Sequence, residues 1–237
     1  MQLPFFYTDQ TVETGSTLTL NEETSKHVVS VLRMKQGEQL NLTNGKGTLL
    51  TVEIVNDHKK RCEVIIKTAT EQPLAPTRIT IAISLLKNAS RFEWFLEKAT
   101  EIGVMEIVPL LCDRTERQHF RKERMEAVLI SAMLQSQQCW LPELHEPVKY
   151  DGFLKAVSDS NDHQKLIAHC DDLKPRNILS AFKTFSHSTI LIGPEGDFSS
   201  EEIQLALDNK FIPVSLGDTR LRTETAGIVA AALLKFR

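Results

Sequence analysis

The chain has 237 residues, with 28 Lys and Arg against 31 Asp and Glu for a formal net charge of −3, and an isoelectric point of about 6.2. That length allows one large domain or two small ones with enough core to fold without disulfides, and 41% hydrophobic residues is ordinary for a globular protein. The slightly acidic balance excludes nucleic-acid binding driven by global charge, so any such role requires a local basic face.

Residues 1–72 read as β-rich. Between Asn21 and Met34 the spacing of Val28, Val31 and Leu32 predicts a short helix, with Asn21 as N-cap ahead of Glu22 and Glu23. Gln39-Leu-Asn-Leu-Thr43 alternates, Asn44-Gly-Lys-Gly47 is a turn signal and Thr48–Val55 resumes the strand, which predicts a hairpin; Cys62–Thr68 supplies another strand. Several short strands and one helix suggest a small barrel. The aperiodic stretch Glu71–Thr77, with Pro73 and Pro76, marks a domain boundary, so the second domain is expected over 73–237.

Beyond it the pattern changes to α/β. Ile79–Leu86 is an apolar run of the buried-strand type, Arg91–Gly103 has helical periodicity ending at a glycine C-cap, and Val108–Leu111 is a short strand before a helix from Lys122 to about Gln138. Lys165–His169, Thr189–Ile192 and Pro213–Leu216 read as further buried strands, separated by helices over Asp151–Val157 and Ser199–Asn209. Strands alternating with helices predict a parallel sheet covered on both faces.

Two glycine loops follow strands near the C-terminus: Ile190-Leu-Ile-Gly-Pro-Glu-Gly-Asp197 and Leu216-Gly-Asp-Thr-Arg-Leu-Arg-Thr-Glu-Thr-Ala-Gly227. Ligands of open α/β sheets bind where strands end and helices begin, so the two loops predict one pocket. It is not a phosphate cradle, because Pro194 removes a backbone donor and Glu195 places a carboxylate where an anion would sit. Gly193 and Gly196 allow close backbone approach, and free carbonyls there are acceptors for an adenine amino group. An adenine-bearing cation such as S-adenosylmethionine fits these groups, with a glycine–proline turn serving only the fold as the alternative. Thr223 is placed to cap the last helix, which runs to Leu234, with Glu224 in its first turn. Arg220 and Arg222 stand just ahead, one expected to be functional and the other to pair with Glu195 or Glu224.

Cys62, Cys112, Cys139 and Cys170 are scattered without metal-ligand spacing, which predicts reduced thiols and no metal site. Met1-Gln-Leu-Pro-Phe-Phe-Tyr lacks the basic start and apolar core of a signal peptide, and no run reaches membrane-spanning length, so a cytoplasmic protein with no membrane partner is expected.

Gly193-Pro-Glu-Gly, Leu216-Gly and Leu221-Arg-Thr-Glu-Thr-Ala226, together with His27-Val-Val-Ser-Val-Leu-Arg33, Glu97-Lys-Ala-Thr-Glu-Ile-Gly-Val104 and Pro109, resemble the RsmE group of SPOUT-class methyltransferases. The resemblance implies a PUA-like barrel followed by an α/β domain with a trefoil knot, a homodimer, and methylation of a uridine N3 in 16S ribosomal RNA of the small subunit. It implies S-adenosylmethionine in the loops after Ala168, Ile192 and Leu216, with Ala168, His169, Ile192, Gly193, Pro194, Glu195, Gly196, Leu216, Gly217, Leu221, Arg222, Thr225 and Ala226 as binding residues. Arg222 is the first catalytic candidate, positioned to stabilise uracilate charge; Glu195 or Glu224 is either a base or an orienting partner for Arg222.

The RNA candidates are Lys26, His27, Arg33 and Lys35, the run His58–Arg61, and Lys87, Arg91 and Lys98, with Phe5 or Phe198 available for stacking. The sequence departs from the family pattern at Asp197, Thr219, Arg220, Leu134 and Gln138. The last two affect positions expected to meet RNA or the dimer partner, where Gln135 and Gln138 can substitute. A SPOUT enzyme acting on transfer RNA and a non-catalytic RNA-binding or assembly protein are the alternatives, distinguished by which RNA is methylated and by loss of cofactor binding.

Overall fold

The computed structural model describes residues 3–10, 13–116, 119–157, 160–169, 176–178 and 185–236. Cys170 lies outside them, whereas Cys62, Cys112 and Cys139 are free and buried. The chain forms two compact units: residues 1–74 with 133–141, and residues 75–132 with 142–237.

In the first unit, Asn21 accepts a hydrogen bond from Thr24 N at 2.8 Å and starts α1 (Glu22–Lys26), as its side chain dictates. The helix continues as a π-helical turn, His27–Val31. The predicted hairpin is present as β3 (Gln39–Thr43) and β4 (Thr48–Asn56), and β5 (Glu63–Glu71) follows. Alternation buries Leu50, Val52 and Ile54 of β4 with Leu40, Leu42, Val64 and Ile66. Two three-residue strands, β1 (Phe5–Tyr7) and β2 (Thr17–Thr19), complete a sheet of order β1-β3-β4-β5-β2.

The edge strands β1 and β2 do not pair with each other among the described residues, so the sheet is a half-barrel and not the closed barrel expected. The segment Met133–Leu141 belongs to this unit. Gly47 N donates to Cys139 O at 2.8 Å, Leu141 N to Gly45 O at 2.8 Å, and Trp140 Nε1 to Gln72 O at 3.2 Å. A side chain at Gly47, whose φ is 96°, would strike the Trp140 ring, which explains the second glycine of the turn. Leu134 and Gln138 therefore sit in a segment fixed onto the half-barrel.

The second unit contains β6 (Arg78–Ser84), α2 (Ala89–Ile102), β7 (Glu106–Leu111), most of α3 (Lys122–Gln135), β8 (Glu143–Leu144), β9 (Val148–Lys149) and α4 (Tyr150–Ala156). It continues with β10 (His163–Ala168), β11 (Arg176–Asn177), β12 (His187–Ile192), α5 (Ser200–Asp208), β13 (Ile212–Ser215) and α6 (Thr223–Lys235). The sheet is parallel throughout, in the order β11-β13-β10-β12-β6-β7-β8, with β9 also on β7.

Central strands are buried on both faces, as their continuous apolar runs require. Ala82, Ile167 and Leu191 face α4 and α5 through Leu154, Ile203 and Ala206. On the opposite face, Gly227 of α6 lies so close to Phe95 of α2 and Ile83 of β6 that an added Cβ would fall 2.6 Å and 3.0 Å from their side chains. Gly103 ends α2 with φ 89°, the left-handed cap its position predicts. Among the described residues no helix is long and apolar enough to cross a membrane.

Candidate active site

At the carboxyl ends of β10, β12 and β13 an open cavity of about 970 Å³ is walled by both glycine loops. Such a volume accommodates a nucleoside-sized ligand. Every binding residue expected from the sequence lines it except Thr225, which sits on the first turn of α6.

The first loop is shaped by its own chemistry. Asp197 N donates to Pro194 O at 2.9 Å, closing a tight turn, and Asp197 adopts a left-handed φ of 63° while its carboxylate accepts from Phe198 N at 2.8 Å. This departure from the family pattern is tolerated because an aspartate can bond locally in that left-handed conformation. Gly193 is packed by Phe198, whose ring would be 3.1 Å from an added Cβ. Phe198 is buried against Tyr150, at a centroid distance of 5.3 Å, so it is a core ring and not a base-stacking platform.

Behind the loop, Ser199 and Glu202 form a reciprocal capping box at the start of α5. Glu202 also accepts from Asp113 N at 2.9 Å, and Ser199 donates to the Asp113 carboxylate at 2.8 Å, which ties the turn after β7 to the loop. From that turn Arg114 donates to Gly196 O at 2.5 Å and to Phe198 O at 3.4 Å. The carbonyls of Pro194 and Gly196, counted above among the free acceptors, are thus already engaged. Arg114 has no motif around it and was missed by sequence reasoning.

The second loop differs from expectation at its helix. Arg222 occupies the N-cap in extended conformation with no side-chain cap, and Thr223 is the buried first residue of α6. The reason is geometric: the chain turns helical at Thr223, one residue before a threonine cap would permit. Arg220 and Arg222 are exposed on the cavity wall and form no ion pair among the described residues.

Glu224 pairs with neither of them. Its carboxylate, 7% exposed, faces Arg91 Nε at 3.7 Å, and its Oε2 is buried without a hydrogen-bond partner. Arg91 in turn lines the cavity, so Glu224 orients Arg91 rather than Arg222. Glu195 is exposed on the wall and lies near enough to Lys87 to stabilise its charge, although the Glu116 carboxylate, 2.6 Å from Lys87, is the main cause of that lysine's raised pKa.

The other basic candidates scatter. Lys98 is bound to Glu97 at 2.6 Å and Glu101 at 2.9 Å and does not line the cavity. In the half-barrel unit, His27 stacks edge-on against Phe6 at 5.4 Å, Lys26 is exposed, Lys35 pairs with Asp57 and Lys60 with Glu22. Arg33 is exposed with φ 59°, a left-handed position that costs a non-glycine residue on the order of 1 kcal/mol.

The residues present suit S-adenosylmethionine. The wall offers a carboxylate at Glu195 for a cationic ligand and close backbone approach at Gly217, where nothing stands within 4 Å of an added Cβ, and at Gly196, whose open side is bordered by the Arg114 side chain.

Comparison with known proteins agrees with this geometry. A family model described as an RNA methyltransferase domain matches residues 71–235, and one described as an RNA methyltransferase PUA domain matches residues 20–67. Ribosomal RNA small subunit methyltransferase E of Synechocystis is 31% identical over 223 residues, 92% of this chain and 72% of the relative. The protein of the same name from Aquifex aeolicus is 28% identical, covering 97% of each chain. A crystal structure of a ribosomal RNA small subunit methyltransferase E from Neisseria gonorrhoeae bound to S-adenosyl methionine superposes with a TM-score of 0.88 at 28% identity, covering 98% of this chain and 97% of that one. The half-barrel unit is accordingly PUA-like, and the chain belongs to the ribosomal RNA small subunit methyltransferase E family of RNA methyltransferases.

Proposed function

We propose that this protein transfers a methyl group from S-adenosylmethionine to N3 of a uridine in 16S ribosomal RNA of the assembled small subunit, acting in the cytoplasm as a homodimer whose second unit carries a trefoil knot. The observation that carries this reading is the meeting of both glycine loops in one cavity beside Arg220 and Arg222, which have no carboxylate partner among the described residues.

The cofactor, when bound, supplies a sulfonium-activated methyl group. Gly193–Gly196 and Leu216–Gly217 would hold it through backbone, Leu221 and Ala226 would supply apolar wall, and Glu195 would supply a carboxylate for its positive charge. The target uracil must be unpaired, because its N3 is otherwise occupied in pairing. As N3 loses its proton, negative charge spreads onto the carbonyl oxygens, and the Arg222 guanidinium stabilises it there. Glu195, an exposed carboxylate on the cavity wall, takes the proton role that buried Glu224 cannot reach. Arg91 and Lys87 supply charge for the RNA near the cavity, and Lys26, His27 and Arg33 do so on the PUA-like unit. Thr225 supports the second loop from the first turn of α6.

The test is methyl transfer from labelled S-adenosylmethionine to small subunits lacking the modification, followed by mapping of the labelled base. Label at a uridine N3 is expected; label on transfer RNA alone, or none, overturns the reading.

A further inference from the structure

Arg114, like Arg220 and Arg222, lines the cavity without an ion pair among the described residues, but its guanidinium is also anchored to carbonyls of the first loop. Its segment is fixed at every residue: Cys112 N donates to Thr115 Oγ1 at 2.9 Å, Thr115 Oγ1 lies 2.8 Å from Ser84 Oγ, and Asp113 bonds both Ser199 and Glu202. Of the acids around it, Asp113 bonds Ser199, Glu202 closes the capping box, Glu116 pairs with Lys87 and Asp197 accepts from Phe198 N, while Glu195 shares the cavity wall without forming an ion pair to it. Arg114 therefore has no carboxylate partner among the described residues, and its two hydrogen bonds go to neutral carbonyls from a single nitrogen, Nη1.

A guanidinium has five N–H donors in a planar fork. Two carbonyls on one nitrogen orient that fork and leave its full charge and its other donors unspent. Arg114 also lines the cavity. A cation here repels a sulfonium and attracts an anion, and a planar fork matches a phosphate.

We infer that Arg114 does two things at once: one edge of its guanidinium latches the first glycine loop through the Gly196 and Phe198 carbonyls, and its charge takes an RNA backbone phosphate beside the target nucleotide. Arg114 is thus a positioning residue for the cofactor loop and a contact for the substrate. The inference rests on the RNA-methyltransferase reading above.

Two variants separate the two roles. Arg114→Gln keeps an amide donor for the carbonyls and loses the charge; Arg114→Ala loses both. The measurements are the affinity of each for S-adenosylmethionine, and the salt dependence of binding to small ribosomal subunits lacking the modification.

Arg114→Gln is expected to bind S-adenosylmethionine within about twofold of the unaltered protein, because the carbonyl bonds persist. It should bind subunits roughly tenfold more weakly, with the slope of log affinity against log salt reduced by about one. Arg114→Ala is expected to show the same slope change and, in addition, roughly fivefold weaker S-adenosylmethionine binding from the released loop.

An unchanged salt slope in Arg114→Gln overturns the phosphate role. Weakened S-adenosylmethionine binding in that variant, with unaltered binding of methylthioadenosine, overturns it in favour of a contact with the cofactor's own carboxylate. Unaltered cofactor affinity in Arg114→Ala overturns the latch. If the unaltered protein neither binds nor methylates subunits, the function falls along with the inference; if it does both and only the slope is unmoved, the inference alone falls.

Discussion

The two ends of the parallel sheet in the second unit are built on opposite electrostatic rules. At the amino ends, charged and polar groups satisfy one another. Glu106 accepts from Thr80 at 2.6 Å, from Arg78 and from His145 at 2.8 Å, while Arg78 also reaches Glu143 at 3.3 Å. His163 and His187 stack face to face at 4.0 Å, each bonded to a threonine hydroxyl at 2.8 Å. Glu106, Glu143 and His145 come close enough together to suggest a metal triad, but the Arg78 guanidinium already supplies the cation. At the carboxyl ends, Arg114, Arg220 and Arg222 line the cavity and form no ion pair among the described residues, although the Glu195 carboxylate shares the wall. Paired charges hold a structure; unpaired ones await a ligand. The polar network at one end stabilises the strands whose other ends carry the site.

The largest test of that contrast is Arg222→Ala. Removing one donor aimed at developing charge costs roughly 100- to 1,000-fold in turnover, and S-adenosylmethionine affinity is expected to stay near its original value. Single-turnover methylation with saturating cofactor checks this. Full activity in the variant would make Arg222 a solvated surface residue and remove the contrast.

Gly196→Val comes next. An added Cβ would lie 3.2 Å from Arg114 Cδ, and a β-branch must push that side chain off the loop or fill the cavity. Overpacking of this kind costs about 1–3 kcal/mol, expected here as weaker S-adenosylmethionine binding in calorimetry with little change in global stability. Equal affinity would show that the loop does not contact the cofactor.

At the other end, Glu106→Ala should do the reverse. It strips the buried Thr80 hydroxyl, the Arg78 guanidinium and the His145 ring of their common acceptor, for a stability loss of about 2 kcal/mol in urea denaturation, while cofactor affinity is retained in the folded fraction. A variant with normal stability but impaired cofactor binding would mean that the two ends are not separable.

Much of this division was readable before any coordinates. The apolar runs from Ile79, Thr189 and Pro213 identify buried parallel strands, and Asn21 and Gly103 mark helix ends, because each signal is local and its cause is the residue itself. What could not be read depends on partners far along the chain. Arg114 meets Gly196 across more than eighty residues, and Glu224 meets Arg91 across more than a hundred, so no spacing rule relates them. The half-barrel was misread for a similar reason, since β1 and β2 are only three residues long and carry no periodicity of their own. The misplaced Thr223 cap reflects competition between adjacent residues, where backbone conformation at Arg222 overrides side-chain preference.

The smallest effect is a pH dependence confined to the paired end. Burial, with the neighbouring charge of His163 adding to it, lowers the His187 pKa from 6.5 to about 4. Below pH 6.5 the unfolded chain binds a proton at this histidine that the folded chain refuses until pH about 4. The unfolded state thus holds more protons across that window, and stability rises with pH through it. This contribution is complete above pH 6.5, declines as pH falls, and is exhausted near pH 4. His187 is only partly buried, so solvent screening keeps the effect modest. Replacing it by Gln, which cannot titrate, should flatten the loss of urea stability between pH 7 and pH 5 while leaving S-adenosylmethionine affinity at pH 7 unchanged. An identical pH slope in the variant would move the titration to another group; a changed cofactor affinity would show that the stacked histidines communicate with the cavity at the opposite ends of their strands.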